Sequence, residues 1–316
     1  MSTKIFLHEL EDFDVLIERV RREHKNVLEQ LIEKDYWIMH CLWGLKEQGF
    51  EFELKGGTSL SKGYGIIDRF SEDIDIKIQP PDFLEVKTGR NHDKPKHIEG
   101  RLKFYDWLAE EISIPGIQTQ RDTDFDDSKA RNAGIRLIYD SLFSQLEGVK
   151  PYVLLELGFD VTTPNEKRPI SSWVYDFAKG LGLEVTDNRA LGVPCYLPGY
   201  TLIEKLSAIS RKYRQEQEGK ILPLNFIRHY YDVYQLLADD SVLEFIGTEP
   251  YQEHKAARFQ KSDETDLSKN EAFVLKDKET RRRYADEYSR TKTLYYDNSP
   301  SFDTILERIK HNLEKL

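Results

Sequence analysis

The sequence predicts an α+β protein in which a domain with a mixed sheet is followed by a mostly helical domain. Strand-like segments, with alternating or continuous apolar residues, are confined to the chain before Pro198. Beyond the Pro198-Gly199 pair, which interrupts regular structure, apolar residues recur at helical spacing to the end. A chain of 316 residues can bury two separate cores. We therefore expect one domain over residues 1–198 and a helical domain over residues 199–316.

The first domain is expected to open with two amphipathic helices. Apolar residues recur at helical spacing over residues 13–22 and 27–46. Apolar and acidic residues then alternate over residues 50–54, which is typical of a half-buried strand. A short helix is predicted over residues 58–67. The later pattern predicts a loop up to Pro95, helices over residues 98–111 and 301–316, and strands over residues 134–139 and 152–159.

The second domain is expected to begin with a helix that carries Lys205 and Lys212. Thr201 is the expected cap of this helix, because a hydroxyl side chain can accept a hydrogen bond from a backbone N–H in the first turn. Residues 252–283 are rich in charged residues and have the weakest apolar periodicity. We expect part of that segment to be mobile.

Composition favours a globular protein that stays in water. Hydrophobic residues make up 39% and charged residues 32%. No apolar run approaches the roughly 20 residues that span a bilayer, and the N-terminus lacks the apolar stretch of a signal peptide. We therefore expect a cytoplasmic protein that does not enter membranes. Cys41 and Cys195 are expected to be reduced, buried thiols, and the scattered histidines do not have the spacing of a zinc site.

Net charge argues against a surface devoted to nucleic acid. The formal charge is −10 at pH 7, so nucleic acid would be repelled by most of the surface. Three short basic segments remain possible RNA contacts, or else solvated helix faces: residues 94–103, 211–214 and 281–284.

A glycine turn is the first part of the most informative pattern in the chain. Gly56 and Gly57 follow the expected strand and precede Thr58 and Ser59. A glycine pair followed by small hydroxyl residues can bring backbone N–H groups against a phosphate at a helix start. The run is neither a Walker A loop nor a dinucleotide-binding fingerprint, because the required glycines and lysine are absent.

An acidic strand is the second part of this pattern. Asp73 and Asp75 alternate with Ile74 and Ile76, so both carboxylates point to one face while the isoleucines point to the core. Paired carboxylates can hold Mg²⁺. A phosphate cradle with a metal pair indicates phosphoryl or nucleotidyl transfer. The alternative is a solvated acidic strand after an ordinary turn.

A lone carboxylate, Glu156, interrupts the otherwise apolar strand over residues 152–159. Burying that charge is costly unless something compensates it. Metal coordination would compensate it. The alternative is an edge strand on which Glu156 faces water.

These residues carry a resemblance to a known family. The run KGGTSLSKGYGIIDRFSEDIDI over residues 55–76 resembles the signature of the AbiEii/AbiGii nucleotidyltransferase toxins, the toxin halves of bacterial type IV toxin–antitoxin and phage-defence pairs. The glycine turn also resembles the glycine-serine motif of polymerase β-like nucleotidyltransferases. Three further stretches match the family pattern, so the resemblance covers most of the chain: EKDYW at 33–37, LIEKL at 202–206 and RHYYDVY at 228–234.

The resemblance implies a polymerase β-like nucleotidyltransferase domain that uses a nucleoside triphosphate, followed by a helical domain. It also implies a cognate antitoxin, and tRNA acceptor ends as targets of some relatives. An acceptor hydroxyl would attack the α-phosphate and pyrophosphate would leave. Asp73 and Asp75 would share two Mg²⁺ ions, and Glu156 would complete the site nearer the acceptor.

The same resemblance assigns residues in both domains to catalysis and nucleotide binding. Lys205 would reach the triphosphate as a point cation, and the buried carboxylate of Asp232 would pair with Lys205 and orient it. Arg69 would either contact phosphate or tie the turn down. Many relatives have an aspartate where this chain has His229, so no role is assigned there. The expected nucleotide-binding set is Gly56, Gly57, Thr58, Ser59, Arg69, Ser71 and Lys205.

Two other functions remain open at this point. A nucleotidyltransferase that modifies a hydroxyl of a protein or small molecule would use the same residues and differ only in its acceptor. A non-catalytic protein that only binds a nucleotide is the third possibility. The retention of Asp73, Asp75 and Glu156 argues against it, because binding without turnover does not require three carboxylates in register.

Overall fold

The computed structural model describes residues 5–24, 27–221, 226–296 and 299–316. The chain forms two compact units. The first contains the residues up to Gly63 together with Phe70–Tyr196, and the second contains Tyr64–Arg69 and the residues from Leu197 onward. The first unit ends at Tyr196, and the division into domains over residues 1–198 and 199–316 stays a prediction. The placement of Tyr64–Arg69 in the second unit was not predicted.

A seven-stranded mixed sheet forms the centre of the first unit. Its strands are β1 (Phe52–Lys55), β2 (Asp73–Ile78), β3 (Gln118–Asp122), β4 (Asn132–Ile138), β5 (Val153–Gly158), β6 (Asn165–Ile170) and β7 (Ala190–Tyr196). Their spatial order is β3-β4-β5-β2-β1-β7-β6. β2 and β5 are parallel, as are β1 and β7, and the other neighbours are antiparallel. The predicted α+β class with a mixed sheet is confirmed.

The two ends of this sheet explain why two of its strands were not predicted. β3 has the sequence QTQRD and β6 has NEKRPI, and both are edge strands. An edge strand pairs on one side only and can be almost entirely polar. Neither strand therefore shows the apolar pattern on which strand prediction depends.

The helices of the first unit pack around this sheet. They are α1 (Phe13–Glu23), α2 (Glu29–Glu47), α3 (Gly56–Thr58), α4 (Pro95–Glu111) and α5 (Trp173–Gly180), and a wider π-helical turn at Ser59–Gly63 continues α3. The helix predicted over residues 58–67 was wrong in its bounds. The helical turns begin at Gly56 and end at Gly63. Gly65 has φ +65°, in the left-handed region, so the helix does not continue to residue 67.

The regular elements described in the second unit are helical. They are α6 (Pro198–Gln217), α7 (Arg228–Leu236), α8 (Asp240–Phe245), α9 (Glu249–Arg258), α10 (Glu271–Val274), α11 (Lys278–Arg290) and α12 (Phe302–Asn312). The segment expected to be partly mobile contains α10, most of α9 and the start of α11. Buried aromatic rings form much of the core, including Tyr230, Tyr251, Tyr284 and Phe302.

The start of α6 corrects the predicted cap. Pro198 occupies the first turn, where its missing N–H costs nothing. Thr201 already lies inside the helix, and its hydroxyl donates a hydrogen bond to the carbonyl oxygen of Leu197 at 3.2 Å. Thr201 therefore does not cap the helix.

Two further expectations concern membrane-spanning helices and the two cysteines. Within the described ranges, no helix combines the length and the apolar character needed to cross a membrane. Cys41 and Cys195 are both buried and free of disulfide bonds, as predicted.

Candidate active site

The central strands β2 and β5 bring three carboxylates together. Ile74, Ile76 and Ile78 of β2 point into the core, while Asp73 and Asp75 share the half-buried opposite face. In the parallel pairing of the two strands, Asp75 lies directly opposite Glu156. Register is set by which face must be buried. The three carboxylates predicted to hold metal therefore share one face of the sheet.

The negative charges of this cluster repel one another. Burial, the negative charges of Asp75 and Asp73 and a hydrogen bond with Asp75 together raise the pKa of Glu156 to about 10. Burial also raises the pKa of Asp73, with contributions from Glu72 and Asp75, against the opposite effect of Lys150. Such a cluster favours a proton or a cation between its carboxylates.

The glycine turn lies against this cluster. Gly56 has φ +73°, and a Cβ atom built on it would lie 2.2 Å from Oδ2 of Asp75. A side chain at this position would therefore both strain the backbone and displace the carboxylate. Only glycine allows the turn to approach Asp75 this closely.

The Thr58 and Ser59 side chains of the turn are buried in the fold. Thr58 donates a hydrogen bond to the carbonyl oxygen of Asp73, which ties the turn to the start of β2. The side chain of Ser59 is buried next to the thiol of Cys195. Ser71 is half-buried just before β2. The backbone N–H groups of the turn are thus better placed to meet phosphate than the Thr58 and Ser59 hydroxyls, and the roles predicted for those hydroxyls stay predictions.

Three consecutive charged residues of α2 are buried and support the loops around the cluster. Glu33, Lys34 and Asp35 are at most 2% exposed. Glu33 accepts hydrogen bonds from the backbone N–H of Leu142 and the hydroxyl of Ser141. In the sequence this stretch was noted only as part of a family resemblance. Three consecutive residues of a helix point in widely different directions, so three adjacent charges on a helix with a buried face cannot all point to solvent, and this predicts a structural role for at least one of them.

The other two members of this triplet, Lys34 and Asp35, bind different parts of the fold. Asp35 forms an ion pair with Lys62, which lies in the turn at Ser59–Gly63, and accepts a hydrogen bond from the N–H of Trp173 at 3.0 Å. Lys34, the central residue of the triplet, binds Glu72 and the carbonyl oxygen of Lys150. α2 therefore binds the turn at Ser59–Gly63, the start of α5 and the loop before β5, and the last of these contacts the carboxylate cluster through Lys150.

Lys150 is a site residue that the sequence analysis missed. Its Nζ lies 2.8 Å from Oδ1 of Asp73. It occupies a loop before β5, where a single lysine has no periodic pattern to mark it. No feature of the sequence identified this contact.

A second charged cluster lies in the second unit. The guanidinium of Arg69 donates two hydrogen bonds to the carboxylate of Asp232, at 2.6 and 2.8 Å. The Nζ of Lys205 lies 3.0 Å from the same carboxylate. The predicted pairing of Lys205 with Asp232 is present, and Arg69 is an additional partner. The contacts of Arg69 favour the alternative in which it ties its segment down.

In this second cluster the carboxylate of Asp232 is ionised and the imidazole of His229 is neutral near neutral pH. Burial alone would raise the pKa of Asp232, but Arg69 and Lys205 outweigh burial and hold that pKa far below its usual range. Burial, together with the charges of Lys205 and Arg69, keeps the pKa of His229 well below its usual value. His229 is therefore neutral, and its Nδ1 lies 3.4 Å from Nζ of Lys205.

Lys205 is largely buried on α6. Its side chain is only 11% exposed and lies against the buried carboxylate of Asp232. Whether Lys205 contacts a nucleotide stays a prediction.

The carboxylate cluster suits a hard divalent cation by the chemistry of its oxygen donors. Within the described part of the chain, no three His, Cys, Asp or Glu side chains are close enough together to hold one ion. Asp73 is paired with Lys150, which leaves the facing carboxylates of Asp75 and Glu156 as the nearest pair. The donor set fits Mg²⁺, and the pairing of Asp75 with Glu156 is the part of it best arranged for one ion.

Glu156→Gln should stabilise the metal-free protein in a pH-dependent way. The pKa of Glu156 is raised in the folded chain to about 10, against an ordinary value of 4.5. Wild type therefore loses stability as pH rises between these values, because unfolding allows the group to ionise. The variant lacks this loss. At pH 8 it should be more stable by on the order of 5 kcal/mol, because the penalty in wild type grows by about 1.4 kcal/mol for each pH unit above 4.5.

The measurement is urea unfolding in EDTA at pH 5 and pH 8. The gain should be small at pH 5 and larger at pH 8, and Mg²⁺ should stabilise wild type more than the variant. An equal effect at both pH values would show that Glu156 is ionised in the folded protein.

The chain is similar to known proteins. A family model described as Nucleotidyl transferase AbiEii toxin, Type IV TA system, matches residues 41–308. Among solved structures, an antigenic nucleotidyltransferase-like protein from Paracoccidioides brasiliensis is similar at 13% identity, over 71% of this chain and 87% of that chain, with a TM-score of 0.35. A TM-score this low supports no statement about the site. No curated protein matches the chain. The family match spans both charged clusters.

Proposed function

The chain belongs to the AbiEii family of nucleotidyltransferase toxins of type IV toxin–antitoxin systems, and from this premise we propose that it transfers a nucleotide to a hydroxyl of tRNA in a Mg²⁺-dependent reaction. The family makes the chain a nucleotidyltransferase with a nucleoside triphosphate substrate and an antitoxin partner. The acceptor, the metal and a role in phage defence are the parts that we propose.

One observation carries this proposal: Asp75 and Glu156 face each other in register beside the glycine turn. Two buried carboxylates in contact are unfavourable unless a proton or cation lies between them. When bound there, Mg²⁺ would neutralise charge on the reacting phosphate and orient its oxygens. Phosphoryl transfer depends mainly on such positioning and charge neutralisation.

The residues of the chain have distinct tasks in this reaction. Backbone N–H groups of Gly56 and Gly57 would bind the triphosphate, because the turn presents no side chain there. Glu156 would help to hold Mg²⁺ near the acceptor, where the charge of the ion would lower the pKa of the attacking hydroxyl and help it to lose its proton to water. Thr58 keeps the turn and β2 aligned through its bond to the backbone of Asp73.

The basic segments favour RNA unequally. Arg214, Arg281 and Arg283 each form ion pairs with carboxylates, which fits solvated helix faces. Lys103 of the segment at residues 94–103 also pairs with Glu99, but Lys94 and Lys96 are exposed where α4 begins. We therefore place RNA contact on the segment at residues 94–103. Its Arg101 is buried and binds backbone carbonyls, so Arg101 supports the segment and is not available to phosphate.

The test is transfer of label from each of the four α-³²P-labelled nucleoside triphosphates. Purified protein would be incubated with Mg²⁺ and either total bacterial tRNA or total bacterial protein. We expect label in tRNA, and EDTA should abolish it. Label in protein alone would identify a protein, and not tRNA, as the acceptor, and the nucleotidyltransferase assignment would stand. Label that persists in EDTA would contradict the metal-dependent reaction.

A further inference from the structure

Lys150 is held at both polar atoms of its backbone. Its N–H donates a hydrogen bond to Oε2 of Glu72 at 3.0 Å. Its carbonyl oxygen accepts one from Nζ of Lys34 at 2.8 Å. Lys34 and Glu72 also pair with each other at 3.3 Å. The backbone of Lys150 is therefore clamped by one buried ion pair.

This clamp is too costly to be explained by stability alone. The side chains of Lys34 and Glu72 are only 1% and 4% exposed. Removing two charges from water costs more than a typical pair regains, so a buried ion pair is weak evidence for a stabilising role. What the pair does achieve is a fixed position for one residue of an irregular loop. That residue carries a charge to the carboxylate cluster.

The side chain of Lys150 completes the arrangement. Glu72 and Asp73 are neighbours in the chain, and they bind Lys150 at its backbone N–H and at its ammonium group. The ammonium lies 2.8 Å from Oδ1 of Asp73. A divalent ion that used this oxygen would have to displace a cation that the fold holds in place.

Charge balance agrees with this geometry. Asp73, Asp75 and Glu156 carry three negative charges when ionised. Lys150 and one divalent ion together neutralise them, whereas two divalent ions with Lys150 would leave an excess positive charge before any nucleotide binds. The described side chains also lack a set of three that could hold a shared ion, and Asp73 is paired with Lys150.

We propose that Lys150 is a tethered cation that takes the place of one of the two metal ions, so that a single divalent ion binds between Asp75 and Glu156. This inference rests on the proposed function and changes the number of ions from the two that the sequence analysis expects. Lys150 is thus a positioning residue for Asp73, and Lys34 and Glu72 position Lys150.

The experiment counts Mn²⁺ ions bound to the intact chain in the absence of nucleotide, by electron paramagnetic resonance of the free ion during a titration. Wild type should bind one tight Mn²⁺ per chain, and Asp75→Asn should lose it. Lys150→Met should bind two, because Asp73 is then released. Lys150→Arg keeps the cation and should bind one.

Lys77→Met is the matched control. Lys77 lies on the same face of β2, but it pairs with Glu53 at 2.9 Å. Its loss should leave the count at one. Circular dichroism melting checks that each variant is folded, and Lys150→Gln replaces Lys150→Met should the latter not fold.

The outcomes separate this inference from the function on which it rests. Two tight ions in wild type, or one in both wild type and Lys150→Met, would overturn the tethered-cation role while the nucleotidyltransferase assignment stands. Absence of any tight ion from wild type would overturn the metal site itself, and the inference with it. A change from one ion to two on removing only Lys150 supports the proposal.

Discussion

Asp75→Asn should lower nucleotide transfer by about a thousandfold, the equivalent of roughly 4 kcal/mol of transition-state stabilisation. Asp75 is the residue that faces Glu156 across the strand pair and lies against the glycine turn. An amide in its place removes half of the charge that holds the ion. The measurement is the initial rate of label transfer to the acceptor at saturating Mg²⁺.

Stability distinguishes this loss of chemistry from a loss of fold. Removing one of two opposed carboxylates should leave the melting temperature in EDTA equal to that of wild type or higher. Asp14→Asn is the control, because Asp14 is an exposed carboxylate on α1. A folded Asp75→Asn protein with wild-type transfer would refute the assignment of Asp75 to the metal.

Asp232→Ala should destabilise the second unit by about 3–5 kcal/mol, because it leaves a buried guanidinium without its counter-charge. Asp232 is fully buried, and the side chain of Arg69 is only 5% exposed. Lys205 loses the same partner. Urea unfolding should reveal the loss, with a signal for each unit if the two unfold separately.

A matched carboxylate in the same unit provides the control. Asp263 is also buried, but its partner Arg214 is 28% exposed, so water can take over the charge of that arginine. Asp263→Ala should therefore cost clearly less than Asp232→Ala. Arg69→Ala combined with Asp232→Ala should be less destabilising than the sum of the single changes, because the two residues act as a pair. Additive losses would contradict the coupling.

The pH dependence of this pair has a definite sign. The pKa of Asp232 is lowered in the folded chain, so its contribution is present above the ordinary pKa of an aspartate and is lost only as pH falls through the lower folded value. The difference between wild type and Asp232→Ala should therefore be constant between pH 6 and pH 8. Glu156 has the opposite sign, because its pKa is raised and its penalty grows with pH.

Much of the site could be predicted because its signals are local. The glycine pair, the alternation of aspartate with isoleucine in β2 and the lone glutamate in an apolar strand each follow from neighbouring residues. A period of two places Asp73 and Asp75 on one face whatever their partners are. The α+β class follows from the same periodicity.

The sequence by itself therefore determined the class of fold, the three carboxylates and the turn beside them. Tertiary structure alone decided which strands pair, that Glu156 lies opposite Asp75, and that Arg69 forms an ion pair with Asp232. It also decided the place of Lys150, whose backbone is held by residues far away in the chain, Lys34 and Glu72. Periodicity records which face of an element is buried, whereas a charged contact between distant segments leaves no periodic trace, because it depends on the path of the whole chain.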